Sequence, residues 1–258
     1  MKKIFNICII LLFCFTSLYS QGFSLEYIVK YKIKSLAITD SVRNVSTVEF
    51  FNEKGNVIMS GIKQPRFMIF TKQIAYDEFN HPLEERMFTP KMEYNGVVRY
   101  SYNSENQVIK KEAFDADDVL EAVWTYEHDA TGKKIKETRK NAKNEKLYTK
   151  YKHDGERVIE EGVSNDKNVV VGKTTYTFNK QQLLIEQKYT NLLKKETSII
   201  MLKYNNNNLL ISKTEKENDI VVVTTLYFYN DKGLVERSEK KNSSGEEFKF
   251  YYQVELFQ

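Results

Sequence analysis

An aromatic residue followed by turn-forming residues recurs at Phe51, Tyr76, Tyr102, Tyr126, Tyr151, Phe178, Tyr204 and Tyr229, at intervals of 25, 26, 24, 25, 27, 26 and 25 residues. A period this steady marks one supersecondary unit used repeatedly, each copy completing its core against its neighbours. The clearest copy is Tyr227 to Arg237. Tyr229 ends an alternating run, Asn230 to Gly233 supply turn chemistry, and Leu234 and Val235 restart the apolar pattern, which reads as a β-hairpin. Four residues after each marker stand Gly55, Asn80, Asn106, Ala130, Gly155, Gln182, Asn208 and Gly233. Six of these eight are Gly or Asn, the types that tolerate the left-handed backbone a tight turn needs. In the fourth copy Gly132 comes two residues later, which predicts a longer loop over Glu127 to Gly132. Gln182 departs from the pattern. Apolar residues return after the turns at Val57, Val108, Leu184, Leu210 and Val235, and polar stretches such as Asn141 to Glu145 turn the chain again.

Each unit is therefore strand, turn, strand, turn. The expected fold is all-β, an antiparallel meander of about eight 25-residue hairpin repeats forming one long curled or solenoid-like sheet, with roughly 16 to 18 strands in all. Phe23 to Ile33 alternates apolar and polar residues and predicts a strand; Ser35 to Asn44 reads as a loop; Glu246 to Phe257 alternates again and predicts the closing strand. The organisation expected is residues 1–20 as a signal peptide, 21–50 as an N-terminal strand and loop, and 51–258 as a repeat domain continuous with them. Unpaired edges at Phe23–Ile33 and Phe248–Leu256 predict weak self-association through backbone pairing.

The first twenty residues carry a signal-like pattern: Lys2 and Lys3, an apolar stretch from Ile4 to Phe15 broken at Asn6, and a polar exit before Gln21. The expectation is a cleaved signal, a secreted or periplasmic chain and no membrane-spanning helix after cleavage. Both cysteines, Cys8 and Cys14, lie inside that stretch, so the remainder has no thiol for disulfides, catalysis or metal binding. Setting Lys2 and Lys3 aside leaves 37 basic against 35 acidic residues, a net charge of +2 with the signs interspersed. That balance gives no electrostatic footprint for nucleic acid. A lipid-embedded barrel needs one apolar face per strand. In Lys133 to Lys140 neither face is apolar, which argues against one.

The string Tyr227-Phe228-Tyr229-Asn230-Asp231-Lys232-Gly233-Leu234, with Tyr100 to Asn103, Trp124 to Tyr126 and Tyr176 to Asn179 as further copies, resembles the YD repeat of the RHS family. The resemblance covers about Phe51 to Tyr252, with Asn mostly in place of the Asp that follows the aromatic. It implies spiralling antiparallel sheet. Large members enclose a toxic C-terminal domain in a shell; here the last repeat is followed by one strand, and the chain is read as too short to close such a shell.

Catalytic chemistry is not written in the sequence: no phosphate loop, nucleophile elbow or histidine metalloprotease motif occurs, and the chain is read as non-enzymatic, with no cofactor. His128-Asp129 and His153-Asp154 occupy matching places. Neighbouring repeats stand two strands apart, about 9–10 Å, too far for both imidazoles to reach one zinc ion at about 2 Å; no metal site is expected. The candidate binding surface is an aromatic ladder, Tyr100, Trp124, Tyr126, Tyr176 and Tyr227, set on one strand face by its spacing from the markers. Such a ladder serves either as core, burying rings while hydroxyls stay wet, or as a face that grips a glycan or an envelope protein. The function expected is a binding or scaffold module. A carrier of an apolar ligand and an envelope enzyme stand as alternatives.

Overall fold

A computed structural model describes residues 25–257. A six-residue helix, α1 (Leu25–Lys30), precedes eighteen strands: β1 (Ile33–Asp40), β2 (Val45–Phe51), β3 (Val57–Gln64), β4 (Phe67–Tyr76), β5 (Pro82–Phe88), β6 (Tyr94–Tyr102), β7 (Val108–Phe114), β8 (Leu120–His128), β9 (Lys134–Asn141), β10 (Lys146–Asp154), β11 (Arg157–Asn165), β12 (Val170–Phe178), β13 (Leu184–Asn191), β14 (Glu196–Tyr204), β15 (Leu210–Glu217), β16 (Ile220–Tyr229), β17 (Val235–Asn242) and β18 (Glu247–Leu256). Every consecutive pair is hydrogen-bonded antiparallel, as the meander requires. The ends also meet: Leu36 of β1 lies opposite Val254 of β18 on one side and Glu49 of β2 on the other.

The sheet therefore closes into an 18-stranded barrel, and this overturns the open curled or solenoid-like sheet expected from the repeats. The chain is long enough to close. Closure also removes the two edges on which self-association was expected, because β1 and β18 each have partners on both sides. The stretch read as a loop, Ser35 to Asn44, supplies most of the closing strand β1.

The predicted N-terminal strand is the second correction. Over Leu25–Lys30 the chain is helical. Ile28, which alternation points outward, is 1% exposed, while Val29, which alternation points inward, is 46% exposed. Tyr27 and Tyr31, one turn apart, bring their ring centroids to 4.8 Å. Lys32 adopts a left-handed φ of 51°, which ends the helix and releases β1. Residues 1–20, read as a signal peptide, lie outside the described residues.

At the turns the repeat chemistry is as expected. In the first, Asn52 Oδ1 accepts hydrogen bonds from the backbone N–H groups of Lys54 and Asn56. Gly55 sits at φ 81°, and a bulge falls between Phe50 and Phe51. Asn103, Asp129, Asn205 and Asn230 repeat the same bonds. Gln182 takes the left-handed position, φ 68°, without being Gly or Asn. The longer loop expected around Gly132 is absent. Asp129 to Gly132 forms the same four-residue turn, slid two residues along the chain because β8 extends to His128. The fifth copy has a two-residue turn, Gly155-Glu156, with Gly155 at φ 57°.

In a meander closed by an even number of strands, turns alternate between two rims. The marker turns lie on one rim together with α1, and the odd-to-even turns lie on the other. On β18 the residues Phe248, Phe250, Tyr252 and Val254 are half-buried, while Lys249, Tyr251, Gln253 and Glu255 are exposed. The first set shares its face with Leu36, Phe51, Tyr227 and Ser238, all 6% exposed or less, and this crowded concave face is the inward one. The apolar core occupies only one sector of the ring. It joins Tyr27 and Ile28 of α1 to Ile33, Leu36, Phe51, Val57, Leu210, Tyr227 and Val235.

The helix is fixed in that sector through Tyr27, whose hydroxyl donates to the carbonyl of Gly233 and accepts from the N–H of Val235, both at 2.9 Å. Gly233, at φ 77°, lies so close to Tyr31 that a Cβ there would stand 2.4 Å from the tyrosyl oxygen. Four markers knit successive repeats in one way. The hydroxyls of Tyr76, Tyr102, Tyr204 and Tyr229 donate to the carbonyls of Val57, Pro82, Leu184 and Leu210, at 2.7 to 2.9 Å.

Candidate functional site

All five residues of the expected aromatic ladder point inward, but not into one environment. Tyr227 belongs to the apolar core, 6% exposed. Tyr100, Trp124, Tyr126 and Tyr176 are half-buried on the opposite sector, over β6 to β12, where the wall is polar and charged. Strand register sets the wall. Tyr100 faces Lys111, Lys111 faces Trp124, and Trp124 faces Arg139 across β6 to β9. Lys111 Nζ lies 4.9 Å from the centroid of the Trp124 ring, and the Arg139 guanidinium lies 5.3 Å from it. Each contact is of cation–π type. The faces of Trp124 are thus covered by its own cross-strand neighbours. The ladder does not present bare rings; it presents ring edges interleaved with charge.

Carboxylates complete the wall. The Tyr100 hydroxyl donates to Glu85, that of Tyr151 to Glu137 at 3.2 Å, and that of Tyr176 to Glu161 at 3.0 Å. Each glutamate comes from the strand preceding its tyrosine. Lys134 lies 4.2 Å from the Tyr151 ring and 5.3 Å from that of Tyr126. Burial pushes the hydroxyls of Tyr100, Tyr126, Tyr151 and Tyr176 well above the ordinary tyrosine range, and the neighbouring carboxylates push the same way. They remain neutral donors at any physiological pH. Burial also raises the carboxyl of Glu161 above its ordinary value, while the Tyr176 hydrogen bond and Lys134 oppose the rise. Among the described residues Arg139 has no ion pair: its guanidinium is held by Trp124 alone.

The sequence singled out the ladder and missed its partners. Glu85, Lys111, Glu137, Arg139 and Glu161 look in sequence like the solvated positions of ordinary strands. Register parity with the markers was the available signal, since all five fall on the marker face. Of the histidines, His81 is engaged, with Nδ1 3.0 Å from Asp77 Oδ2 and its ring 5.1 Å from that of Tyr102. Among the described residues no three His, Cys, Asp or Glu side chains gather to hold a metal ion.

The outward face is charged around much of the ring. Ion pairs there join Lys110 to Glu112 at 2.6 Å, Lys136 to Glu127 at 2.7 Å and Lys173 to Glu160 at 2.8 Å. No helix among the described residues is long and apolar enough to cross a membrane. A concavity of about 560 Å³ lies on the outside. There the end of the β3–β4 hairpin leans over Ala37, Val48 and Phe50. A bulge beside Gly61 permits the lean, and a Cβ on Gly61 would stand 2.5 Å from the Ile69 carbonyl oxygen.

No family model and no curated protein matches the chain. Solved structures similar to it include a porin-like protein from Bacteroides uniformis, with 10% identity and a TM-score of 0.48 over 87% of this chain and 97% of that one. A porin-like protein from Bacteroides vulgatus has 9% identity and a TM-score of 0.41 over 87% and 99%. The TcdB2-TccC3 protein without its hypervariable C-terminal region has 10% identity and a TM-score of 0.39 over 82% of this chain, which spans only 14% of that one.

Proposed function

We propose that the chain is a non-enzymatic binding or scaffold protein of the cell envelope, exported by its N-terminal signal, whose barrel holds a hydroxyl-rich ligand such as a glycan against the inward wall of β6 to β12. The observation that carries this reading is the make-up of that wall: tyrosine–glutamate pairs with Lys111, Lys134 and Arg139 between them. Neutral hydroxyls, carboxylates and cations at close spacing match the alternating donors and acceptors of a carbohydrate. A wall of this kind is a poor host for an acyl chain, because burying its charges against hydrocarbon costs far more than the apolar contact returns. The apolar-ligand carrier is therefore the weaker reading. The charged outward face likewise supports a barrel surrounded by water over one embedded in lipid.

Trp124 is the only tryptophan in the chain, so its emission reports on this wall directly. Titration with neutral and acidic oligosaccharides is expected to shift that emission saturably. In Arg139→Ala the shift should weaken at least tenfold, with an unchanged melting temperature. No response to any oligosaccharide, together with a saturable response to a fatty acid, would replace this reading with the carrier.

A further inference from the structure

Eight large apolar side chains in the described chain are more than half exposed, and seven of them lie at the rim opposite α1. Val42, Met92, Val119, Val170, Leu193 and Ile220 sit on six different turns of that rim, at 51 to 74% exposure, and Phe67 ends the bent β3–β4 hairpin. The α1 rim, which has nearly as many turns, contributes only Phe79. Two barrel ends built by the same turn chemistry thus differ sharply in apolarity. Turn geometry does not require the difference, since both rims use the same turns.

Their spacing limits what could cover them. Successive turns of one rim are two strands apart, about 9–10 Å, and polar residues separate the apolar tips. No continuous patch results of the kind a protein partner buries at the centre of an interface. Separate apolar tips projecting from a ring suit a surface that each can enter singly, as interfacial side chains enter the headgroup and acyl boundary of a bilayer. Charge narrows the choice further. The nine turn stretches of this rim (40–45, 64–67, 89–94, 115–120, 141–146, 165–170, 191–196, 217–220 and 242–247) hold twelve acidic and eight basic residues. A net negative rim disfavours a second copy placed rim to rim and gives no attraction to anionic lipid. It is compatible with the ammonium groups of a zwitterionic headgroup layer.

We propose that this rim docks the barrel end-on against a zwitterionic phospholipid surface, with the turn tips inserted shallowly and the α1 rim facing away. The docking does not depend on what the inward wall binds. Flotation of the full chain with phosphatidylcholine–phosphatidylethanolamine vesicles tests it, using Val42→Ser, Val119→Ser, Leu193→Ser and Ile220→Ser combined, and Phe79→Ser on the other rim. The expected result is vesicle binding by the parent chain and by Phe79→Ser, reduced tenfold or more in the combined variant at an unchanged melting temperature. Equal binding by all three would assign any affinity to the apolar N-terminal stretch and overturn the proposal. So would absence of binding by the parent chain, or sedimentation showing a dimer that the combined variant dissolves.

Discussion

The two sectors of the barrel wall are built from one repeat and stabilised differently. Around α1, inward positions of β1 to β3 and β15 to β17 carry Leu36, Phe51, Val57, Leu210, Tyr227 and Val235 and pack as a dry core. Across the ring, the matching positions of β6 to β12 carry Tyr100, Lys111, Trp124, Glu137, Arg139, Glu161 and Tyr176. The hairpin ladders are alike in both sectors, so backbone pairing alone suffices to continue the sheet. What differs is what the inward side chains meet. Where a helix fills the concavity, apolar residues are buried and stability concentrates; where no described residue does, the wall carries polar groups.

The largest expected effect that tests this contrast is at Phe51, 2% exposed in the core sector. Phe51→Ala should cost roughly 3–5 kcal/mol by chemical denaturation. A loss near 1 kcal/mol would show that the sector is not the stabilising one. Next comes the tyrosine that fixes the helix. Tyr27→Phe removes the donor to Gly233 and the acceptor for Val235 and strands a buried N–H, at about 1–3 kcal/mol; an unchanged melt would mean α1 contributes nothing to closure. Trp124→Ala, despite the larger residue, should cost only about 1 kcal/mol, because its ring is half-buried and its contacts are two cations. A loss as great as that of Phe51→Ala would make the polar wall a core after all.

The smallest effect is one of pH. Because burial raises the Glu161 carboxyl, the folded chain holds that proton to higher pH than the unfolded chain does. Stability therefore falls as pH climbs from the ordinary carboxylate value through the raised one. Glu161→Gln removes this loss, so the melting temperature of the variant relative to the parent should improve across that interval. A difference that stays flat with pH would show the carboxyl to be as well solvated as a surface glutamate.

The repeat made the hairpins legible, down to the turn openers at Asn52, Asn103, Asn205 and Asn230, because turn chemistry is local. Closure was not legible. It depends on Leu36 meeting Val254 across more than two hundred residues, and nothing in the Ser35 to Asn44 stretch distinguishes a closing strand from a loop. The helix was hidden for a related reason. Phe23 to Ile33 alternates as a strand does, but with β1 already paired on both sides no ladder position remains for it. The concavity instead rewards burial of the adjacent pair Tyr27 and Ile28, which only a helix can place on one side. At the wall, the aromatic ladder could be read from spacing, and its role could not, because charged residues facing a lumen and charged residues facing bulk water have the same sequence pattern.

Native-state hydrogen exchange tests the division most directly. The account predicts that amides of β1, β2, β16 and β17 exchange slowest, near the rate of global unfolding, while those of β8 to β11 exchange through smaller openings of the polar wall. Uniform protection around the ring, or fast exchange in β1, would contradict it.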